Sequence, residues 1–369
     1  MKIANEKTTI ERRPVKRPVK GSRTLPSALV LFSLSVLLFV VILISVSFGS
    51  TAIPIGTIAQ ILLNGTGVIH FTRHWDPTTE LIIWQVRMPV VIGTALVGAA
   101  LAAAGVLFQG MLRNPLADPY LMGTSSGAAL GAAIAFVLPF DTVYGSFFSL
   151  TPLLAFVGAM LTVLFVYSIA RSDGHTPIVT LLLAGVVINA VLVALQTLIL
   201  TISPHSQFGL QALFNWLSGG VSATSWPPIF VVGTIILVSI AFSLTLTRSL
   251  DAFALGEEGA AHLGLNVERR KFVIIVVGSL LTAAAVSISG LIGFVGLVTP
   301  HVMRLLLGPR HRMLLPSAAL GGAIFLTLAD LLARVVIAPS VLPVGIFTAL
   351  VGAPFFLFLL RSSKRDYQW

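Results

Sequence analysis

The sequence predicts an all-α polytopic membrane protein of about ten transmembrane helices, several of them broken, and three observations predict it. Apolar residues make up 56% of the chain and charged residues 10%, where an ordinary soluble domain is about a quarter charged. Residues 177–247 contain no Asp, Glu, Lys or Arg, and a run of that length suits lipid better than water. Apolar runs of roughly 20 residues recur along the chain, the length that crosses a hydrocarbon core of about 30 Å at about 1.5 Å per residue.

The elements follow in order. Eight Lys/Arg lie between Lys2 and Arg23, and the apolar stretch after them, 27–48, is too long for the core of a signal peptide. No clear small-x-small cleavage site follows it, so it is expected to be a retained first span. Nine further spans are placed at 88–110, 119–139, 150–170, 177–201, 228–247, 272–289, 293–307, 314–337 and 345–360. The expected plan is a basic tail at 1–26, a transmembrane domain at 27–361 and a short tail at 362–369. Ten spans bring both tails to one side. With that side cytoplasmic, 20 of the 23 Lys/Arg fall inside and only Arg73, Arg87 and Arg334 fall outside, as the positive-inside rule requires. The expected location is therefore the inner or plasma membrane, with both termini cytoplasmic. Trp84, Trp216 and Trp226 fall near predicted outer ends, where an aromatic belt belongs.

Small residues crowd the spans, as in 98–105 and 123–129, so these helices can pack backbone to backbone. Glycine and proline interrupt the region from Gly290 to Pro300. Broken backbone at membrane depth survives only inside protein or beside a water-filled cavity, so this region either lines a pathway or forms kinks that its neighbours absorb. Residues 102–105 and 283–285 echo one another faintly, in a way that would make spans two to five and seven to ten an inverted repeat.

The charge and motif content excludes several functions. The net charge of +10 sits between apolar runs rather than on one basic face, so nucleic acid is not an expected partner. Absence of cysteine excludes disulfides, thiolate catalysis and Cys-ligated metals. None of the six lysines closes a phosphate loop, so nucleotide chemistry must come from elsewhere, and no catalytic or cofactor-binding residue is expected. His70 and His74 have helical metal-ligand spacing but no third ligand nearby, so they are read as a solvated loop pair and no metal site is expected. Asp330 and Arg334 form an i, i+4 pair inside one span. Asp330 alone would be the candidate of an ion-coupled secondary carrier.

The inner loop 250–265 reads as a short capped helix. Asp251 is expected as its N-cap, Glu257 and Glu258 face solvent, Gly264 takes the left-handed position that ends it, and Leu255, Ala260 and Leu263 offer apolar contacts. Such a helix fits a partner's groove, whereas two adjacent glutamates beside an anionic leaflet argue against a helix lying on lipid.

This loop resembles the coupling segment of the FecCD-type permeases, which belong to the type II ABC importers for ferric siderophores, haem and cobalamin. Three other stretches agree. Arg87-Met88-Pro89, through Gln109-Gly110 to Arg113-Asn114-Pro115-Leu116-Ala117-Asp118-Pro119, is similar to the family's second span and inner loop. Gly293 to His301 with Arg304, and Leu342-Pro343-Val344-Gly345 through Gly352-Ala353-Pro354-Phe355, are similar to its last third. The likeness covers nearly everything after Leu25. The family usually reads Arg-x-Pro-Arg where this chain has Arg87-Met88-Pro89-Val90.

The resemblance implies the permease fold of cobalamin importers and a subunit that pairs with a second copy or a close paralogue around a central pathway. It implies two cytoplasmic ATPase subunits, with Asp251, Leu255, Gly256, Glu257, Glu258, Ala260, Leu263 and Gly264 in the coupling segment. It also implies an extracytoplasmic substrate-binding protein docking at Arg87 and Arg334. The expected cargo is an iron chelate, siderophore or haem, with cobalamin as the alternative.

Overall fold

In lipid a segment must satisfy its own backbone, so long uncharged apolar runs become helices. The computed structural model describes residues 27–49, 53–65, 71–138, 149–203, 206–221 and 225–363. The tail 1–26, the end 364–369 and His70 lie outside them. Among the described residues the predicted spans correspond to α1 (Ser27–Ser47), α4 (Met88–Leu112), α5 (Thr124–Val137), α6 (Leu150–Ala170), α7 (Ile178–Ile202), α9 (Trp226–Phe253), α11 (Val267–Ser289), α12 (Val295–Leu307), α13 (His311–Val335) and α14 (Val344–Ser363). Seven helical segments are long and apolar enough to cross a membrane, while α5, α12 and the apolar part of α14 are shorter.

Four further helices connect them: α2 (Ile55–Gly65), α3 (Pro77–Leu81), α8 (Ser206–Leu217) and α10 (Glu257–His262). A π-helical turn over Ile82–Arg87 joins α3 to α4. Pro89 follows immediately. A proline ring collides with the carbonyl four residues back, and the wider turn relieves that crowding. The carboxylate of Asp76 accepts the Thr78 N–H at 2.8 Å and opens α3, which holds its pKa below the ordinary carboxylate value.

The core is built around α4, which is buried from Val97 to Leu112 except at Ala99. Its small residues let neighbouring backbones touch it. A Cβ added at Gly98 would run into the carbonyl of Gly322 on α13, and one at Gly105 into the carbonyl of Gly296 on α12. Pocketed on α1, the side chains of Val46, Ile58, Ile61, Ile83 and Val91 form a satellite core that seats α2. A second satellite of Ala128, Ala132, Ala155, Ala159, Leu200 and Leu213 seats α8 against α5, α6 and α7.

The break expected near 290–300 lies between α11 and α12, over residues 290–294. Its backbone groups find partners elsewhere. The Tyr120 hydroxyl donates to the Ile292 carbonyl at 3.1 Å and accepts its N–H at 3.4 Å, while Gly220 N–H donates to the Ser289 carbonyl at 2.8 Å. Gln109 of α4 donates to the carbonyls of Gly296 and Leu297 at 3.2 and 3.4 Å. Protein therefore surrounds this irregular segment, as membrane depth demands.

Candidate functional site

Two ends of the helical bundle carry the residues singled out from the sequence. At the first, α9 ends at Phe253 and the chain turns through residues 254–256. Gly256 adopts φ +95°, a conformation that L side chains resist, and α10 begins directly after it. Gly264 takes the left-handed position at φ +81°, and the Leu265 N–H reaches back to the Ala260 carbonyl at 3.2 Å, which satisfies an end carbonyl of the helix. Asn266 then caps α11, accepting the Arg269 N–H at 3.0 Å.

Asp251 does not cap α10. It lies in the last turn of α9, and its Oδ1 accepts the His311 N–H at 3.1 Å while facing His311 Nδ1 at 2.6 Å. It caps the start of α13 from a neighbouring helix. The correction follows from chain length: α9 continues through Phe253, so position 251 is helical and cannot precede α10.

Glu257 is not a freely solvated acid either. Lys271 is buried, and its Nζ lies 2.6 Å from Glu257 Oε2, 3.0 Å from Glu268 Oε1 and 3.2 Å from the Thr176 carbonyl. The other oxygen of Glu268 accepts the Thr176 N–H at 2.9 Å. One buried ammonium thus ties α10, α11 and the turn before α7 together, with charge-assisted bonds satisfying all three of its protons.

Ala260 is fully buried against α9 and α11 and belongs to the main core. Its small size lets the helix seat, and a partner could not reach it. What α10 presents outward is Leu255 and Leu263, 68% and 63% exposed, with Glu258 beside them. At the end of α9 a cavity of about 430 Å³ is lined by Gln109, Arg113, Asp251, Arg304, Arg310 and His311.

At the second end, Arg87 is buried at 7% exposure. Its Nη1 donates to the carbonyls of Val46 and Ser47 at 2.8 and 3.1 Å. Arg334 pairs with Asp330 at 2.8 Å and donates to the carbonyls of Ser45 and Phe48, both at 3.2 Å, and to the Ser45 hydroxyl at 2.6 Å. Both arginines therefore converge on the C-terminal end of α1. That end carries unpaired carbonyls and the negative pole of the helix dipole, so two cations close it. Both guanidiniums are therefore engaged at this end of the bundle.

Asp330 and Arg334 also line a cavity of about 860 Å³ with Trp216, Ser287 and Val90. Val90, at the position where the family usually carries a second arginine, gives that cavity an apolar wall. The indole N–H of Trp226 donates to the Trp84 carbonyl at 2.8 Å and joins α9 to the π turn at the same end. Among the described residues no group of three His, Cys, Asp or Glu could hold a metal ion.

Sequence reading missed Lys271, Glu268, Thr176 and His311. The Glu268–Lys271 spacing of i, i+3 is a visible signal. The approach of His311 to Asp251, 60 positions apart, has no local signature.

Comparison with known proteins gives a consistent set. The model of the FecCD transport family matches residues 37–362. A cobalamin import system permease of Halobacterium salinarum is 42% identical over 78% of this chain and 75% of its own. A hemin transport system permease of Yersinia pestis is 39% identical over 81% of this chain and 90% of its own. An Fe(3+)-citrate import system permease of Bacillus subtilis is 36% identical over 90% and 96%. A solved ABC transporter in an inward-facing conformation superposes with a TM-score of 0.76 at 29% identity, covering 91% of this chain and 99% of that one.

Proposed function

The chain belongs to the FecCD transport family, and on that premise we propose that it is the translocation subunit of an ATP-binding-cassette importer bringing an iron chelate, siderophore or haem, into the cell. The observation that carries the reading is α10, a short helix bolted to the bundle by Lys271 that leaves Leu255, Glu258 and Leu263 exposed. A rigidly mounted helix with an apolar and acidic outer surface suits the groove of an ATPase partner.

The α10 end is then cytoplasmic and two ATPase subunits dock there, one on this chain and one on a second copy or close paralogue. ATP binding draws the ATPases together, α10 moves with its partner, and the bolted helices change which side of the pathway is open. The chain itself breaks no bond in ATP or cargo. A substrate-binding protein delivers cargo at the Arg87–Arg334 end. There the two arginines fix the end of α1 and so shape the docking surface.

Cobalamin is the second reading, favoured by the name of the Halobacterium relative. An ion-coupled carrier would need Asp330 as an independent site, and that carboxylate is already paired with Arg334. Reconstitution in vesicles tests the proposal: radiolabelled chelate is expected to enter only with the binding protein, the ATPase partner and ATP. Uptake driven by an ion gradient without nucleotide would overturn it.

A further inference from the structure

A third cavity, of about 1120 Å³, lies between the start of α1, the end of α9 and the start of α13. Leu31, Leu244, Met313 and Pro316 form its apolar wall, and Arg248, Arg310 and Arg312 stand at its rim. All three arginines are exposed, and among the described residues none pairs with a carboxylate. The acid that lines the cavity, Asp251, is engaged by His311.

Depth gives this arrangement meaning. The three helices are long and apolar enough to span a membrane, so arginines at their ends lie at headgroup level. Leu244 sits one helical turn deeper than Arg248. α1 also leaves Phe32 and Phe39 67% and 60% exposed, as a helix facing hydrocarbon does.

We propose that this groove binds an anionic glycerophospholipid, with its phosphate held by Arg248, Arg310 and Arg312 and an acyl chain lying along Leu31, Leu244 and Met313. Guanidinium forks match phosphate oxygens in geometry and charge. Basic pockets between membrane helices favour anionic headgroups over zwitterionic ones, which bring a cation of their own. The chain's own tail is a poor occupant. It joins at Ser27, on the lip of the groove, and it holds eight Lys/Arg against two Glu, so it adds to the positive field instead of neutralising it.

Native mass spectrometry of the full chain in mild detergent, titrated with phosphatidylglycerol or phosphatidylcholine of matched acyl chains, tests the site. The unmodified protein is expected to prefer phosphatidylglycerol by about tenfold or more. The R248Q/R310Q/R312Q variant is expected to lose that preference. Leu244→Trp, which fills the apolar wall and leaves the arginines in place, is expected to weaken phosphatidylglycerol binding as well. The R269Q/R270Q variant removes two cations at the same end outside the groove and is expected to keep the preference. Equal preference in the unmodified, triple-Gln and Leu244→Trp proteins would overturn the site. So would loss of the preference in R269Q/R270Q, or on neutralising the eight tail cations to Gln, since the lipid would then answer to general charge or to the tail.

Discussion

Lys271 is a single ammonium on which three parts of the chain depend, and removing it leaves Glu257 and Glu268 facing one another with no cation between them. Breaking a buried ion pair from one side costs several kcal/mol, and partial exposure of both acids reduces this to about 1–3 kcal/mol. Lys271→Met is therefore expected to melt lower in detergent, with most of the loss recovered in K271M/E257Q/E268Q. Additive losses in the triple variant would mean that the three residues do not form one network. Arg87 gives a second test, since its bonds run to the carbonyls of Val46 and Ser47. Arg87→Glu is expected to lower the melting temperature by several degrees, because it sets an anion against those carbonyls. The slope of binding-protein association rate against ionic strength is expected to stay parallel to that of the unmodified permease. A flattened slope with unchanged melting would return Arg87 to a direct docking role. Both arginines stood out in the sequence as cations on the side that holds few. Their partners did not, because backbone carbonyls some 40 and 290 positions away leave no residue signature.

At the scale of the element, α10 divides its residues into those that seat it and those it offers. Leu263→Glu is expected to uncouple ATP hydrolysis from uptake, reducing transport by about tenfold or more while leaving the melting temperature of the permease unchanged. Ala260→Arg is expected instead to lower the melting temperature, because the side chain enters a fully buried position. Identical behaviour of the two variants in both assays would refute this division. The existence of a helix here and its left-handed end at Gly264 were legible, because backbone conformations that favour glycine are local, whereas its start was expected at Asp251 and lies after Gly256. The role of Asp251 was not legible, since a residue suited to capping is equally suited to the start of any helix nearby, and tertiary packing chose α13. The helices α2 and α8 escaped because 11 and 12 residues fall short of the length that signals a span.

For the whole molecule, composition alone revealed the membrane and the series of helices, since lipid permits few other arrangements of such a chain. Which helix packs on which stayed hidden: α4 is apolar all round and has no stripe that points to a neighbour. Orientation is open to direct measurement because the chain has no cysteine. Thr72→Cys is expected to react with a membrane-impermeant maleimide in intact right-side-out vesicles, and Glu258→Cys only after permeabilisation. The reverse pattern would invert the topology and remove α10 from the cytoplasm. Residues 290–294 add a mechanical consequence. Gly290 closes the last rung of α11 on the Val286 carbonyl and the Phe294 carbonyl accepts the first rung of α12 from Val298, so the two ladders are separated by residues 291–293, which Tyr120 holds at Ile292. Tilting α12 about this point works against the Tyr120 contacts and the Gln109 bonds to Gly296 and Leu297 but breaks no turn of either helix, so the segment can serve as a fulcrum between two levers that stay stiff.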